Sequence, residues 1–495
     1  SGKTCVQVID KSTGKYKVLH TIGSSKDEEV INQFTSRARQ WIQEHTGTME
    51  LDFSNETEVI NQVLAGVERL KLSGIDLLLG KIFDEIGFNK VHDPIFRYLV
   101  IYRLAYPKSK LKTTEFLSRY HQIDWNEDQV YRYLDKLHST QKELVQQISY
   151  QHTRKVLNNN ISIVFYDVTT LYFEIDNEDE LRKTGFSKEG KHQNPQIVLG
   201  LLVSKNGYPL AYDIFEGNKF EGHTMLPVID TFRRKYNLDQ LVIIADSGLL
   251  SKSTIEELQV KGYEFILGAR IKNEPASIKR KILDLDLANG QSAIIKKADL
   301  KLIITYSDNR AKKDRHNREK GLRKLEKRVK TGKLTKSSIN NRGYNKYLKL
   351  EGEVKVIIDK EKFELDASWD GLKGYITNSK LNKDQIIENY QHLWQIEKAF
   401  RVTKSGLKIR PIYHYLQRRI EAHICIAFTA YCIYKELERV LRQEKSELSV
   451  KKAAELTQNM YQITYILPES RHTKSRLLNM DDAQAELYQI ILKNF

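Results

Sequence analysis

Residues 161–174 read ISIVFYDVTTLYFE. Such a run of β-branched and aromatic side chains predicts a strand. Asp167 sits in its middle, and a carboxylate in an apolar run is costly unless it is paired or binds a metal. Read alone, Asp167 is explained as well by an edge position, a salt bridge or an earlier strand end. Downstream, Gln196–Val203 and Tyr208–Phe215 predict two further strands, joined through Lys205-Asn206-Gly207, a strong hairpin signal. Thr224–Tyr236 has the spacing of an amphipathic helix. Leu241–Ala245 (LVIIA) is an all-apolar strand buried on both faces, and Ser251–Lys261 is a helix ended by Gly262. Tyr263–Ala269 is a fifth strand.

The order β-β-β-α-β-α-β is that of a ribonuclease-H-like domain. In such a sheet the first and fourth strands are neighbours. Asp246 directly follows Leu241–Ala245, the place where α/β sheets put site residues; a turn or cap role accounts for it alone. Facing carboxylates from Asp167 and Asp246 repel unless a divalent cation joins them, and hard oxygen ligands suit Mg²⁺, with Mn²⁺ as a second choice.

A third acid is sought on a later helix. Residues 386–408 read IIENYQHLWQIEKAFRVTKSGLK. Tyr390, Glu397 and Lys404 are seven apart and share one helical face, with Trp394 and Arg401 on or near it. The plainer reading is a salt-bridged surface with Glu397 and Arg401 as an i,i+4 pair. Core packing is the plainer reading of Trp394.

The rest of the chain is organised around this core. Cys5–Gly23 predicts a β-hairpin turning at Ser12-Thr13-Gly14. Asp27–Thr46 predicts a helix, and Glu56–Phe88 two more, broken near Gly74. Asp93-Pro94 opens another helix. Two short ones follow, Thr113–Tyr120 and Glu127–His138, the second with Asn126 and Gln129 as a capping box. This trihelical pattern suits either a helix-turn-helix, with Gln129, Arg132, Tyr133 and Lys136 outward, or an ordinary bundle. Residues 273–383 hold strand-like runs (Leu302–Tyr306, Val354–Ile358, Leu372–Ile376) around a basic helix. The expected fold class is therefore an α/β ribonuclease-H-like catalytic core, interrupted by a mostly β insertion domain and preceded by an N-terminal helical DNA-binding region. The expected boundaries are 1–150 for the hairpin and helical region, 151–272 for the first part of the core and 273–383 for the insertion. Residues 384–445 complete the core with the Glu397 helix, and 446–495 form a peripheral tail with one strand (Gln462–Ile466) and a last helix.

Charge points to the partner. The chain of 495 residues carries 80 Lys and Arg against 64 Asp and Glu, a formal +16. Between Arg310 and Lys349 there are sixteen basic and three acidic residues, so most of the excess lies in one segment. Its only apolar stripe is Leu322, Leu325 and Val329, too thin to bury much. With few acids to pair, Arg315, Arg318, Arg323 and Lys324 are candidates for phosphate-backbone contact. No apolar stretch is long enough to span a membrane; Ile420–Tyr434 is short and contains Glu421 and His423. Three cysteines without a CxxC pair exclude a disulfide scaffold and fit a reducing cytosol. His414 and His423 match no zinc spacing.

Tyr390-x2-Leu393-x3-Glu397-x6-Lys404 resembles the Tyr-Arg-Glu-Lys signature of DDE transposases from bacterial insertion sequences. Leu393 stands where the family has Arg. Ile409-Arg410-Pro411-Ile412-Tyr413-His414, then Arg419-Ile420-Glu421-Ala422-His423, is similar to a long-chain subgroup of that family. YDVTTLYFE and IIADSGLLS resemble its two Asp strands, and the N-terminal hairpin is similar too. The resemblance implies that Asp167, Asp246 and Glu397 hold two Mg²⁺ ions for phosphodiester cleavage and strand transfer. It implies phosphate contacts by Tyr390 and Lys404 and stacking of Trp394 on a flipped base. Arg401, Lys408, Arg410, Arg132 and Lys136 join them as expected DNA contacts. The loss of the family's Arg at Leu393 puts a hairpin-forming excision route in question. The implied partners are double-stranded DNA (element terminal repeats and target) and a second copy of the chain on paired ends, in a bacterial cytoplasm at the nucleoid. The rival functions are a nuclease of the same fold that cuts without joining, and a non-catalytic DNA-binding derivative.

Overall fold

The computed structural model describes residues 2–46, 60–61, 64–187, 190–238, 240–332, 334–340, 343–352, 355–467 and 470–495. They fall into two units, Ser1–Leu70 with Gln462–Leu477, and Lys71–Tyr461 with Leu478–Phe495.

In the first unit, β1 (Thr4–Asp10) and β2 (Lys17–Ser25) form the expected antiparallel hairpin. Asp10 caps its turn through the Ser12 N–H at 2.8 Å, and Gly14 takes φ +79° there. Helix α1 (Glu28–Thr46) lies against the hairpin, with the Phe34 ring pressed on Gly23. β3 (Val67–Leu72) occupies a stretch expected to be helical; its Val-Glu-Arg-Leu-Lys-Leu alternation has a period of two, which suits a strand. Residues 56–59, 62 and 63 of that expected helical stretch lie outside the described residues.

The second unit begins with α2 (Gly80–Ile86), α3 (Pro94–Ala105), α4 (Lys110–His121), α5 (Glu127–Lys136) and α6 (Lys142–Val156). The sequence signals act as expected: Asp93 caps α3 by accepting from Ile95 N–H, and Asn126 and Gln129 close a capping box on α5. The strands follow as β4 (Ile163–Tyr172), β5 (Gln196–Ser204), β6 (Pro209–Glu216), β7 (Val242–Ala245) and β8 (Glu264–Ala269), with α7 (Met225–Tyr236) and α8 (Lys252–Val260) between them. β6, β5 and β4 are antiparallel. β4, β7 and β8 are parallel, so the first and fourth core strands are neighbours.

Residues 273–383 build α9 (Ala276–Leu283), β9 (Ser292–Lys297), β10 (Leu300–Tyr306), α10 (Asp308–Lys330), the hairpin β11 (Leu348–Glu351) and β12 (Lys355–Ile358), α11 (Lys360–Leu365) and β13 (Leu372–Thr377). Val354 of the expected strand lies outside the described residues. The segment is not mostly β: the 23 residues of α10 tip it toward helix. Nor do its strands stand apart. β13, β10 and β9 extend the main sheet beyond β8, giving the order β6-β5-β4-β7-β8-β13-β10-β9. The reason is visible in the apolar centres of β10 and β13, which continue the sheet's interior. The expected stripe of Leu322, Leu325 and Val329 does anchor α10, on a small core with Tyr347, Leu348, Val356 and Phe363.

The chain closes this unit with α12 (Lys383–Gln391), α13 (Trp394–Arg401), α14 (Gln417–Gln443), α15 (Val450–Leu456) and α16 (Asp482–Asn494). β14 (Tyr461–Ile466) and β15 (Thr473–Leu477) lie in the three-stranded sheet β15-β14-β3. α14 is buried along most of its length and is packed by α2, α3, α5, α6, α15 and α16. The trihelical pattern is therefore part of a bundle around α14. Tyr133, expected outward, is buried at 3 % exposure. The expected peripheral tail is partly core, with Leu487 and Ile491 buried among these helices. Among the described residues no helix is long and apolar enough to cross a membrane.

Candidate functional site

Strand parity places the acids. On β4, Val164, Tyr166 and Val168 point into the core beneath α7 and α8, whereas Phe165 and Leu171 point to the core formed with the helical bundle. Asp167 shares the parity of Phe165, so it faces the bundle side. On β7, Ile244 faces that side and Ala245 the other, so Asp246 has the parity of Ile244. The parallel register pairs Phe165 with Ile244 and Tyr166 with Ala245, so Asp167 and Asp246 each follow the last paired residue of their strands. α13 packs on β4 and β5 from the same side, through Ile396, Ala399 and Phe400. Glu397 is exposed on that helix.

Each Asp is held by backbone. Asp167 accepts from Val168 N–H at 2.8 Å. Asp246 caps the turn after β7 by accepting from Gly248 N–H, so the cap reading is correct and does not exclude a second role. Among the described residues no three His, Cys, Asp or Glu side chains are grouped closely enough to hold a metal ion. The donor type, carboxylate oxygens, suits a hard divalent cation.

The single helix expected to carry Tyr390, Glu397 and Lys404 on one face is broken. Leu393, Gln395 and Ile396 bond three residues back, to Tyr390, His392 and Leu393, which tightens the chain between α12 and α13. Tyr390 thus ends one helix, Glu397 lies in the next, and Lys404 lies in the π-helical turn Val402–Gly406. Tyr390 is buried, with its hydroxyl against Gly268, which also adjoins Ser247, the residue after Asp246. Burial, Asp246, Tyr375 and Glu397 all push its phenol pKa upward, which keeps it a neutral donor. Leu393 is core. Trp394 is 46 % exposed, with Lys398 Nζ 5.7 Å from its ring, so core packing does not account for it.

Three cations here were not singled out from sequence. Lys373 of β13 lies 4.6 Å from the Tyr390 ring and 5.4 Å from that of Tyr375. Burial and Arg310 push its pKa down, while Glu397 and Asp246 act against them. Arg270 donates to the Gly248 carbonyl at 3.2 Å, and Arg310 to that of Leu372 at 3.2 Å. The signal was weak: a Lys in an otherwise apolar strand, and two arginines whose neighbours come from distant segments. These residues line one side of a 720 Å³ cleft, shared with Lys272, Arg318 and Lys346, between the sheet and α10.

The other expected DNA contacts are scattered. Arg315, Arg323 and Lys324 are exposed on α10. Arg318 is not: its guanidinium is bound by Asp370 and lies over the Phe363 ring, with the side chain 10 % exposed. Arg132 is exposed, and Lys136 pairs with Asp93 at 3.0 Å. Arg401 and Lys408 are exposed, and Arg410 half-buried.

The closeness of Gly268 to Tyr390 is testable. A Cβ there would come 2.5 Å from the Tyr390 hydroxyl and 2.9 Å from Ser247 N. Gly268→Ala is expected to displace the Tyr390 ring and the Asp246 turn. A crystal structure of the variant beside its unfolding curve checks this; an unmoved Tyr390 would show that the close approach is relieved elsewhere.

The family model described as "Transposase DDE domain" matches residues 159–433, from β4 to the middle of α14. The transposase for insertion sequence element IS231E of Bacillus thuringiensis subsp. finitimus is 31 % identical over 103 residues, spanning 19 % of this chain and 22 % of that protein. Among solved structures, a cryo-EM structure of the piggyBac transposase synaptic complex with hairpin DNA has a TM-score of 0.39 at 9 % identity. It covers 78 % of this chain and 76 % of that one. A match over more than half of the chain, containing Asp167, Asp246, Glu397 and the elements that carry them, makes this protein a member of the transposase DDE domain family.

Proposed function

We propose that this chain is a DNA transposase with a ribonuclease-H-like core, which cuts the ends of a mobile element and joins them to target DNA. The observation that supports it most is the parallel pairing of β4 with β7, which ends at Tyr166 and Ala245, one residue before Asp167 and Asp246, on the sheet against which the Glu397 helix packs. Two divalent cations held by Asp167, Asp246 and Glu397, Mg²⁺ or Mn²⁺, would activate the attacking oxygen and stabilise the leaving one. In cleavage, water attacks phosphorus and the P–O3′ bond breaks, leaving a 3′-hydroxyl. In joining, that hydroxyl attacks a target phosphorus and displaces a second 3′-oxygen.

The chain's own groups position the DNA. Lys373, Arg270 and Arg310 offer positive charge beside the acids. Tyr390 donates a hydrogen bond from a neutral phenol. Trp394 presents an open ring for stacking on an unpaired base. Lys404, Arg401, Lys408 and Arg410 follow along the strand's path, and a second copy of the chain would hold the paired end. Leu393, being core, makes no phosphate contact.

The test is a labelled duplex carrying the element's end, incubated with the protein and Mg²⁺ or EDTA and run on a denaturing gel. Metal-dependent nicks at the boundary, followed by joined products, are expected. Nicks without joining would favour a nuclease, and metal-independent binding alone a non-catalytic derivative. The exposed face of α10 is tested separately. Replacing Arg323 and Lys324 together by Gln should reduce the slope of log affinity against log salt by about 1.8, equally for all sequences. An unchanged slope would remove α10 from the DNA path.

A further inference from the structure

A second basic cavity lies away from the acids, where α3, α4 and α5 meet the segment 408–414 and α14. Its volume is 390 Å³, and its walls include Arg103, Lys110, Lys408, Arg410, His414 and His423. Arg103 is 7 % exposed, and its Nε has no hydrogen-bond partner. No ion pair involves Arg103 or Lys110 among the described residues. Lys110 Nζ meets His423 Nδ1 at 2.6 Å, and His423 Nε2 meets the Ile409 carbonyl at 2.8 Å. The one acid on the wall, Glu127, is engaged by the Tyr131 hydroxyl. Asp135, close by, is taken by Arg418 and Arg419.

Such an arrangement is unfavourable as it stands. A buried guanidinium without an acceptor is destabilising, because its charge has lost water and gained no partner. The groups also repel one another: burial first, and then neighbouring cations, hold His414 down to about 3 and press Lys110 and His423 well below their usual values. The 12-residue helix α4 adds its N-terminal N–H groups at Lys110 and Leu111 to the same wall. Every one of these features is relieved by an anion.

We propose that this cavity is a phosphate pocket that takes one backbone phosphate of the DNA strand, with Arg103 and Lys110 as its charged floor. The proposal rests on the DNA reading above and deepens it. It ties the N-terminal helices to the segment that follows the Glu397 helix, so a single phosphate would register the DNA against both. A pocket built on Arg103 and Lys110 gives those two N-terminal helices a role that no outward recognition face needs to supply.

Two arms test it on the full chain. In the first, thermal unfolding is compared in sodium phosphate and in sodium chloride of equal pH and ionic strength. Phosphate is expected to raise the midpoint of the wild type but not of Lys110→Gln, whose midpoint in chloride should stay near wild type. In the second, affinity for a short duplex is measured against salt. Lys110→Gln should bind about tenfold more weakly, with a slope reduced by about 0.9, and Lys110→Arg should restore both. Arg103→Gln should do the same if it folds; if it does not, the two Lys110 variants decide. No phosphate effect on the wild type overturns the pocket. A phosphate effect with an unchanged duplex slope overturns its role in DNA binding and leaves a site for free phosphate. A wild type that binds no duplex, yet responds to phosphate, refutes the transposase reading and the DNA role of the pocket while leaving the anion site standing.

Discussion

Asp246→Asn is expected to abolish strand cleavage, by about 10³-fold or more, while leaving the fold unchanged. Loss of one group that organises charge at a reacting phosphate typically raises the barrier by about 4 kcal/mol or more, at ~1.4 kcal/mol per decade of rate. Stability should not follow. Asp246 is exposed, and the structural duty it has, accepting from Gly248 N–H, can be met equally by the Asn amide oxygen. The hydrogen bond and the β7 turn therefore persist while the charge is lost. The check is a denaturing gel of the duplex products beside an unfolding curve. Wild-type cleavage by the variant would remove Asp246 from the chemistry. A collapse of stability would instead make it a structural cap only.

The second large effect is on folding. Glu436, 2 % exposed on α14, accepts from Tyr208 hydroxyl at 2.7 Å and from Arg439 at 2.7 and 3.0 Å, with His152 Nε2 3.3 Å away. Glu436→Ala should destabilise the protein by about 3–5 kcal/mol, the range for removing one partner of a buried ionic network. Glu436→Gln keeps the shape and should lose less. Burial alone would raise the carboxyl pKa, but the nearby His152 ring and hydrogen bonds from Arg439 and Tyr208 outweigh it and bring it from 4.5 to about 2. The folded-state value is thus the lower one. Its contribution is fully present above about pH 4.5 and is lost as pH falls toward 2. Denaturant midpoints across that window should fall more steeply for the wild type than for Glu436→Gln. Parallel curves would show that the network does not hold the charge.

Much of the fold could be read locally. The hairpin turn at Lys205-Asn206-Gly207, the Asp93 cap and the Asn126–Gln129 box are each written in a few adjacent residues, and each is present. The errors share one cause. Tyr133 was read as outward from a helical pattern that equally suits a buried face, and α14, distant in sequence, is what covers it. Arg318 was read as free because its partner Asp370 lies far along the chain. β10 and β13 looked like the strands of a separate domain because strand propensity says nothing about which sheet a strand joins.

The site divides along the same line. Sequence by itself singled out the acids as candidates, because a carboxylate inside an apolar strand and another at a buried strand's tip depart from the hydrophobic pattern. It also determined the basic stretch, since charge is a sum over residues. Only the tertiary structure decided that the strands carrying Asp167 and Asp246 pair in parallel up to Tyr166 and Ala245, that the Glu397 helix packs on that sheet face after a break at His392-Leu393, and that Lys373 lies near Glu397 and Asp246. The physical reason is that periodicity fixes which way a side chain points, whereas proximity between strands and helices is set by packing of the whole core.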